Sequence, residues 1–109
     1  MAKKMKVVTK MARQGDVLIR AAKDVPTGTT EAQENGRSIL AHGEVTGHAH
    51  ALITDELIVN AGDKGRFVSL GKETELHHEE HGTVKLGPGK FEIRRQEEYS
   101  PLEIRQVAD

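Results

Sequence analysis

The stretch TVKLGPGKFEIRR, residues 83 to 95, carries the strongest fold signal in this sequence. Its two arms place apolar residues at alternate positions, a pattern typical of strands that bury one face. Between the arms, Gly87-Pro88-Gly89 supplies the residue types that tight turns favour. We therefore predict a β-hairpin over residues 83 to 95.

Similar short apolar runs recur along the rest of the chain. They lie at residues 16–22, 37–47, 48–53, 56–60, 66–70 and 102–107. Turn-forming residues separate the runs, and the clearest turn is NAGDKG, residues 60 to 65. Short strands bury enough surface only when two sheets face each other or one sheet closes. We therefore predict an all-β fold, a small single-domain β-barrel or β-sandwich of about eight short strands.

One segment, KETELHHEEH at residues 72 to 81, is rich in good helix formers. A helix here would have a single strongly apolar residue, Leu76, with which to dock on a core. Helices of this length depend on such docking for their stability. We therefore expect a strand and a turn in this segment.

Charge is distributed unevenly along the 109 residues. Residues 1 to 13 contain five basic and no acidic residues, although the whole chain has a formal net charge of −1. We predict a flexible basic arm over residues 1 to 13 and one β domain over residues 14 to 109. The arm is either solvated or contacts an acidic partner. Nucleic acid is not the partner we expect, because one tyrosine and two phenylalanines offer no stacking platform.

The composition also bears on where the protein acts. No apolar run approaches the roughly 20 residues that a membrane-spanning helix needs. Cysteine is absent, which fits a reducing compartment and excludes thiolate metal ligands. We therefore predict a cytoplasmic protein that does not contact a membrane.

The six histidines fall into two short clusters, HGEVTGHAHAL at residues 42 to 52 and ELHHEEHG at residues 75 to 82. Alternate residues of a strand share a face, so His48 and His50 point the same way. Two imidazoles placed in this way can converge on one metal ion. We therefore treat the first cluster as half of a metal site.

The second cluster adds carboxylates to imidazoles. In an extended segment, His77, Glu79 and His81 would share one face. His78 and Glu80 would share the other face. Ligands from both clusters would hold Zn, Fe, Mn or Ni and leave a position open for water or a small ligand. The metal ligands that we predict are His48, His50, His78, His81 and Glu79.

The pattern of His48 and His50 on a strand resembles the first motif of the cupin superfamily. Cupins are small jelly-roll barrels that hold a metal ion with two histidines, a glutamate and a histidine from a later strand. In this sequence the acid of that motif would be Asp55 or Glu56. The later cupin motif has its histidine after a Pro-x-Gly element, whereas the second cluster here precedes Pro88. The resemblance implies a cupin-like jelly roll with a divalent metal ion.

A second resemblance spans most of the chain. The segments QGDVLI (14–19), GEVTGHAH (43–50), HEEHG (78–82) and LGPGKFEIRRQEEY (86–99) are similar to a type of small protein found in bacteria and their phages. No activity comes with this resemblance. It implies that the two histidine clusters belong to one functional unit.

The alternative interpretation is a structural module that forms rings or decorates a phage capsid. Only 3% of the residues are aromatic, so neighbouring subunits would complete a thin core, and the polar loop at residues 25–36 could dock on them. The histidines would then lie at subunit interfaces, and assembly would depend on pH near about 6 to 7. We expect a homo-oligomer in either case, and a virion location in this one.

No nucleophile elbow or phosphate-binding loop is present, so the sequence leaves enzyme activity open.

Overall fold

The structure is a computed structural model that describes residues 7–43 and 47–95. Two sheets pack face to face as a β-sandwich, and they do not close into a barrel. The predicted all-β fold is therefore confirmed, in its sandwich form. The described strands are β1 (Val7–Val8), β2 (Met11–Gln14), β3 (Val17–Ala21), β4 (Thr29–Thr30), β5 (Ser38–His42), β6 (Ala49–Leu52), β7 (Val59–Asn60), β8 (Arg66–Leu70), β9 (Thr74–His77), β10 (Val84–Leu86) and β11 (Gly89–Arg95). These are eleven strands, three of them of only two residues, where about eight were predicted; β2 lies largely in the predicted basic arm, and the predicted run at residues 56–60 forms only the two-residue β7.

The first sheet has the strand order β1-β10-β9-β6-β5 and the second has the order β2-β3-β11-β8-β7-β4. Strand β1 runs parallel to β10, and the other pairs are antiparallel. A short 3₁₀ turn, Gly62–Lys64, lies in the turn predicted at residues 60 to 65. Among the described residues, no helix has the length and apolar character needed to cross a membrane.

The predicted hairpin at residues 83 to 95 is wrong. Strand β10 pairs with β9 in the first sheet, whereas β11 lies between β3 and β8 in the second sheet. The alternating residues Leu86 and Phe91 are both buried, because the two arms approach one core from opposite sides. A turn signal predicts a change of chain direction but does not determine which strands pair. The Gly87-Pro88 segment is therefore a crossover between the sheets.

The strand and turn expected at residues 72 to 81 are present, because β9 ends at His77 and bends follow it. Residues 7 to 13, assigned to the basic arm from the sequence, contribute to β1 and β2. Residues 1 to 6, and the strand predicted at residues 102 to 107, lie outside the described residues.

The core lies between the sheets and draws on both of them. Aliphatic side chains fill most of it, as the composition predicts, and Phe91 is the largest side chain that is almost fully buried. The buried members are Val17, Ile19, Leu40, Ala41, Leu52, Ile58, Val68, Leu70, Leu76, Leu86, Phe91 and Ile93. Strands β3, β6, β9 and β11 all contribute to this core, so its packing fixes the positions of the strands that carry the histidines.

Arg66, the first residue of β8, links the second sheet to the first. Its guanidinium donates hydrogen bonds to the carbonyl oxygens of Ile39 and Leu40, where the β5–β6 register shifts. It also donates to both carboxylate oxygens of Glu31, at 2.9 and 2.7 Å. The Arg66 hydrogen bond lowers the pKa of Glu31, although partial burial of the carboxyl group opposes the change. This bidentate pair therefore holds an irregular strand against the opposite sheet.

Arg66→Met should reduce the free energy of unfolding by about 1 to 3 kcal/mol, because Glu31 and two carbonyl groups lose their donor. Arg20→Met is the matched control, since Arg20 pairs with Glu92 at 2.8 Å but is itself more exposed than Arg66. The control should cost under about 1 kcal/mol. Urea unfolding at pH 7 measures both values, and equal losses would contradict the assigned role of Arg66.

The same variant should also change the pH dependence of stability. The folded-state pKa of Glu31 lies below its ordinary value of 4.5, so the contribution of Glu31 is complete above that pH. It is lost as the pH falls below 4.5 and through the lowered pKa. Arg66→Met should therefore lose less stability than the wild type between pH 5 and pH 3.

Candidate metal centre

Four of the six histidines lie together beside the paired strands β6 and β9. These strands are antiparallel, with Ala51 opposite His77, so the start of β6 lies next to the end of β9. Ring centroids are 4.3 Å apart for His50 and His78, and 4.6 Å apart for His78 and His81. His48 lies farther out, with its ring 5.8 Å from that of His78. The structure thus brings together imidazoles from the two clusters.

Within the described part of the chain, two groups of side chains present ligand atoms that lie within 4.8 Å of one another. The first group is His50, His78 and His81, and the second is His48, His78 and Glu79. Each of the five ligands predicted from the sequence belongs to one of these groups. His78 belongs to both, so the two groups are not independent sites.

His42 and His77 make other contacts. His42 Nε2 lies 3.1 Å from a carboxylate oxygen of Glu34, and His77 Nε2 lies 2.6 Å from one of Glu75. The expected face shared by His77, Glu79 and His81 is wrong. Strand β9 ends at His77, so the alternation of faces stops there, and the bends that follow turn His78 and His81 towards His50.

The buried amide of Gln14 fixes the protonation of His50. Gln14 Nε2 donates to the carbonyl oxygens of Leu76 and Gly82, both at 2.9 Å. Because both amide hydrogens are used there, Gln14 Oε1 must accept a hydrogen bond from His50 Nδ1, which lies 2.9 Å away. Neutral His50 therefore carries its proton on Nδ1 and has a free lone pair on Nε2.

His78 has the opposite arrangement. The backbone N–H of Glu80 donates to His78 Nδ1 at 3.0 Å, so the Nδ1 lone pair is engaged. Neutral His78 therefore carries its proton on Nε2. Coordination through Nε2 would require that proton to leave and the Glu80 N–H to find another acceptor. We expect the bend at residues 78 to 81 to shift when an ion binds in this way.

The turn between β2 and β3 forms another wall of the site. Gly15 has a φ of 59°, and a Cβ atom there would lie 2.8 Å from His81 Nε2 and 3.2 Å from His50 Cε1. Asp16 follows, with Oδ1 3.6 Å from His50 Nε2 and Oδ2 2.9 Å from the Arg95 guanidinium. The sequence predicted only a strand over residues 16–22 here. No local pattern links it to a histidine cluster more than thirty residues away.

The protonation states of the side chains at this site favour the binding of a cation. His50 is only 3% exposed, and its burial, followed by the charge of His78, lowers its pKa to about 4 against the opposing effect of Asp16. Burial raises the pKa of Asp16, but the hydrogen bond and charge of Arg95 outweigh it, so the net change is downward. The Ala49 N–H donates to Glu79 at 3.0 Å and lowers the pKa of that carboxyl. At pH 7 the site therefore offers a neutral imidazole and ionised carboxylates, the forms that bind metals.

An open cavity of about 420 Å³ adjoins these groups. Its walls include all four clustered histidines, together with Asp16 and Arg95. Pockets of this size admit a small molecule. An ion held by the histidines would thus have room beside it for water or a small ligand.

At pH 7, long-range ¹H–¹⁵N correlation spectra should show His50 protonated on Nδ1 and His78 protonated on Nε2. Gln14→Met should shift the His50 nitrogens towards a mixture of tautomers, because it removes the acceptor that selects Nδ1–H. The exposed His42, paired with Glu34, serves as the internal reference and should not change. Protonation of His50 on Nε2 in the wild type would contradict the assignment.

Comparison with known proteins gives a family without an assigned activity. A family described as "Domain of unknown function (DUF8820)" matches residues 13–96, which include both histidine clusters and the turn at Gly15. The match is not to a cupin family, so it does not confirm the resemblance of His48 and His50 to the cupin motif. No curated protein and no solved structure matches the chain. Because the match covers more than half of the sequence, the chain belongs to the DUF8820 family.

Proposed function

We propose that this domain binds a divalent metal ion at His50, His78 and His81. The observation that carries the proposal is the convergence of three imidazoles, from segments about thirty residues apart, with ligand atoms within 4.8 Å. Of these, His50 is buried and presents an unprotonated Nε2. A buried imidazole held in its ligating tautomer by a hydrogen bond at the other nitrogen is a common feature of metal sites.

The donor set narrows the choice of ion. Imidazole nitrogen suits Zn, Fe and Ni, and a neighbouring carboxylate extends the choice to Mn. Three histidines leave at least one coordination position for water or a small oxygen-containing ligand. An ion polarises a small ligand bound in such a position, or it lowers the pKa of water bound there. Binding of an ion and of a small ligand beside it is the function that this site supports best.

We assign the ion to the first group and not to the second. Each group has one exposed member, His81 or Glu79, but the first group contains the buried His50, whereas the second contains the half-buried His48, which lies farther from the other rings. His78 can serve only one of the two groups through a single nitrogen. His48 and Glu79 remain predicted ligands of an alternative position, which substitution can distinguish.

The self-assembly interpretation would place the histidines at contacts between subunits. Convergence of four imidazoles within one chain favours a site that a single subunit completes. Mass measurement in solution with and without metal separates the two interpretations. An oligomer that forms only when metal is added would support assembly through the histidines.

His50→Ala and His81→Ala should each weaken metal binding on the order of 100-fold, because each removes a ligand. His77→Ala is the matched control, since the half-buried His77 pairs with Glu75 and does not line the cavity beside the four histidines, and it should retain wild-type affinity. Calorimetric titration of untagged protein with Zn²⁺, Ni²⁺, Mn²⁺ and Fe²⁺ measures the effect. Loss of binding in His48→Ala and Glu79→Gln, but not in His50→Ala, would move the ion to the second group.

Gly15→Ala should weaken metal binding more than Gly36→Ala does. Both glycines have positive φ, 59° and 74°, so the two variants share a backbone strain on the order of 1 kcal/mol. Only at Gly15 would the new methyl group meet His81 and His50, because nothing lies within 4 Å of a Cβ at Gly36. Metal titration and urea unfolding of both variants should show similar stability but different affinity. Equal metal affinities would contradict the position of the turn against the histidines.

A further inference from the structure

We infer that Asp16 supplies a fourth ligand to the ion bound at His50, His78 and His81. This inference rests on the proposed metal binding and adds a residue that the histidine clusters did not predict. Asp16 lies in the turn between β2 and β3, and its Oδ1 atom is 3.6 Å from His50 Nε2.

The first argument is that two hydrogen-bond acceptors face each other. Gln14 Oε1 accepts a hydrogen bond from the Nδ1–H group of His50, so Nε2 of the neutral ring presents a lone pair. The Oδ1 atom of Asp16 is a carboxylate oxygen and also has no proton to donate. The two atoms lie 3.6 Å apart, and each is a ligand atom that a divalent ion accepts. A metal ion bound to both atoms would hold them together by two favourable bonds.

The second argument is the distance itself. Metal–nitrogen and metal–oxygen bonds of about 2.0 to 2.1 Å place neighbouring ligands of a tetrahedral ion about 3.3 Å apart. The observed 3.6 Å between Asp16 Oδ1 and His50 Nε2 is close to that value. Asp16 does not belong to the group whose ligand atoms all lie within 4.8 Å of one another, so the turn must move towards His78 and His81 for all four side chains to hold one ion.

The third argument is that Asp16 is held in this orientation. Arg95 donates a hydrogen bond of 2.9 Å to Oδ2, which leaves Oδ1 directed at His50. Hydrogen bonds to the second oxygen of a ligating carboxylate orient it in the same way in known metal sites. Arg95 is therefore a positioning residue that acts through Asp16.

The local backbone explains how one turn reaches both nitrogens of His50. Gln14 pairs with Val17 across the β2–β3 ladder, so Gly15 and Asp16 are the two central residues of a tight hairpin. A glycine with positive φ at the first central position is typical of such turns. The turn places the Gln14 amide at Nδ1 and the Asp16 carboxylate at Nε2. A carboxylate in the donor set also favours Fe²⁺ and Mn²⁺ over softer ions, and an octahedral ion would keep positions for a small ligand beside the four side chains.

Asp16→Asn tests the inference, with Asp24→Asn as the matched control. Asparagine is well tolerated in turns and still accepts a hydrogen bond from Arg95. Asp24 is highly exposed and lies 3.9 Å from Lys90, away from the histidines. Titration with Co²⁺, followed by visible absorption, reports both affinity and ligand set. Asp16→Asn should lose about tenfold or more in Co²⁺ affinity and change the absorption spectrum, and Asp24→Asn should match the wild type.

Azide and Arg95→Met add readouts that a purely structural role would not change. Replacement of Asp16 by an exchangeable water should make the Co²⁺ spectrum of Asp16→Asn more sensitive to azide than that of the wild type. Arg95→Met keeps the carboxylate but removes the hydrogen bond that orients it, so its Co²⁺ affinity should fall, by less than that of Asp16→Asn. If Asp16→Asn has the wild-type Co²⁺ spectrum and affinity, the inference about Asp16 is wrong. If His50→Ala loses Co²⁺ in the same experiment, the proposed metal site is still supported. Failure of the wild type to bind Co²⁺ would overturn both.

Discussion

The geometry of the candidate metal centre depends most on the hydrogen bonds of the buried Gln14 amide. Gln14 belongs to β2 of the second sheet, yet it bonds to Leu76 and Gly82 on either side of the bend that carries His78 and His81. Its third hydrogen bond holds His50 on β6. One side chain, only 3% exposed, therefore joins both sheets and orients the central imidazole. A buried amide or carbonyl group without a hydrogen-bond partner would lower the free energy of unfolding, so the loss of any one of these three hydrogen bonds would destabilise the fold.

Much of this arrangement follows from patterns that are visible in the sequence. The runs at residues 16–22 and 66–70 form strands as predicted, because alternating apolar residues have to face one core. The histidine clusters meet because the strands that carry them, β6 and β9, are neighbours in the first sheet. The sequence predicted the segments and the convergence of their histidines. It did not predict the pairing, because apolar alternation is equally compatible with several partners.

The features that were missed or wrong depend on contacts distant in the chain or on irregular backbone. Gln14 lies 62 residues before Leu76, and no spacing rule connects a glutamine in a strand to a bend so far along the chain. The same reason explains Asp16, whose turn reads locally as a simple entry to β3. The faces expected for His77 and His81 were wrong because the segment is extended only to His77. The hairpin expected after Leu86 is a crossover, because a glycine-proline turn has the same local sequence in both cases.

The contact of Arg66 with β5 has a consequence for the behaviour of the protein at high concentration. Among the strands of residues 7–43 and 47–95, β5 is the last of the first sheet, so one of its sides has no neighbour there within that sheet. Free backbone groups on such a strand recruit strands from other molecules and start aggregation. Here the register is irregular, and the carbonyls of Ile39 and Leu40 already accept hydrogen bonds from a charged side chain. A foreign strand would have to displace a guanidinium before it could extend the sheet, which protects the folded protein against polymerisation along this edge.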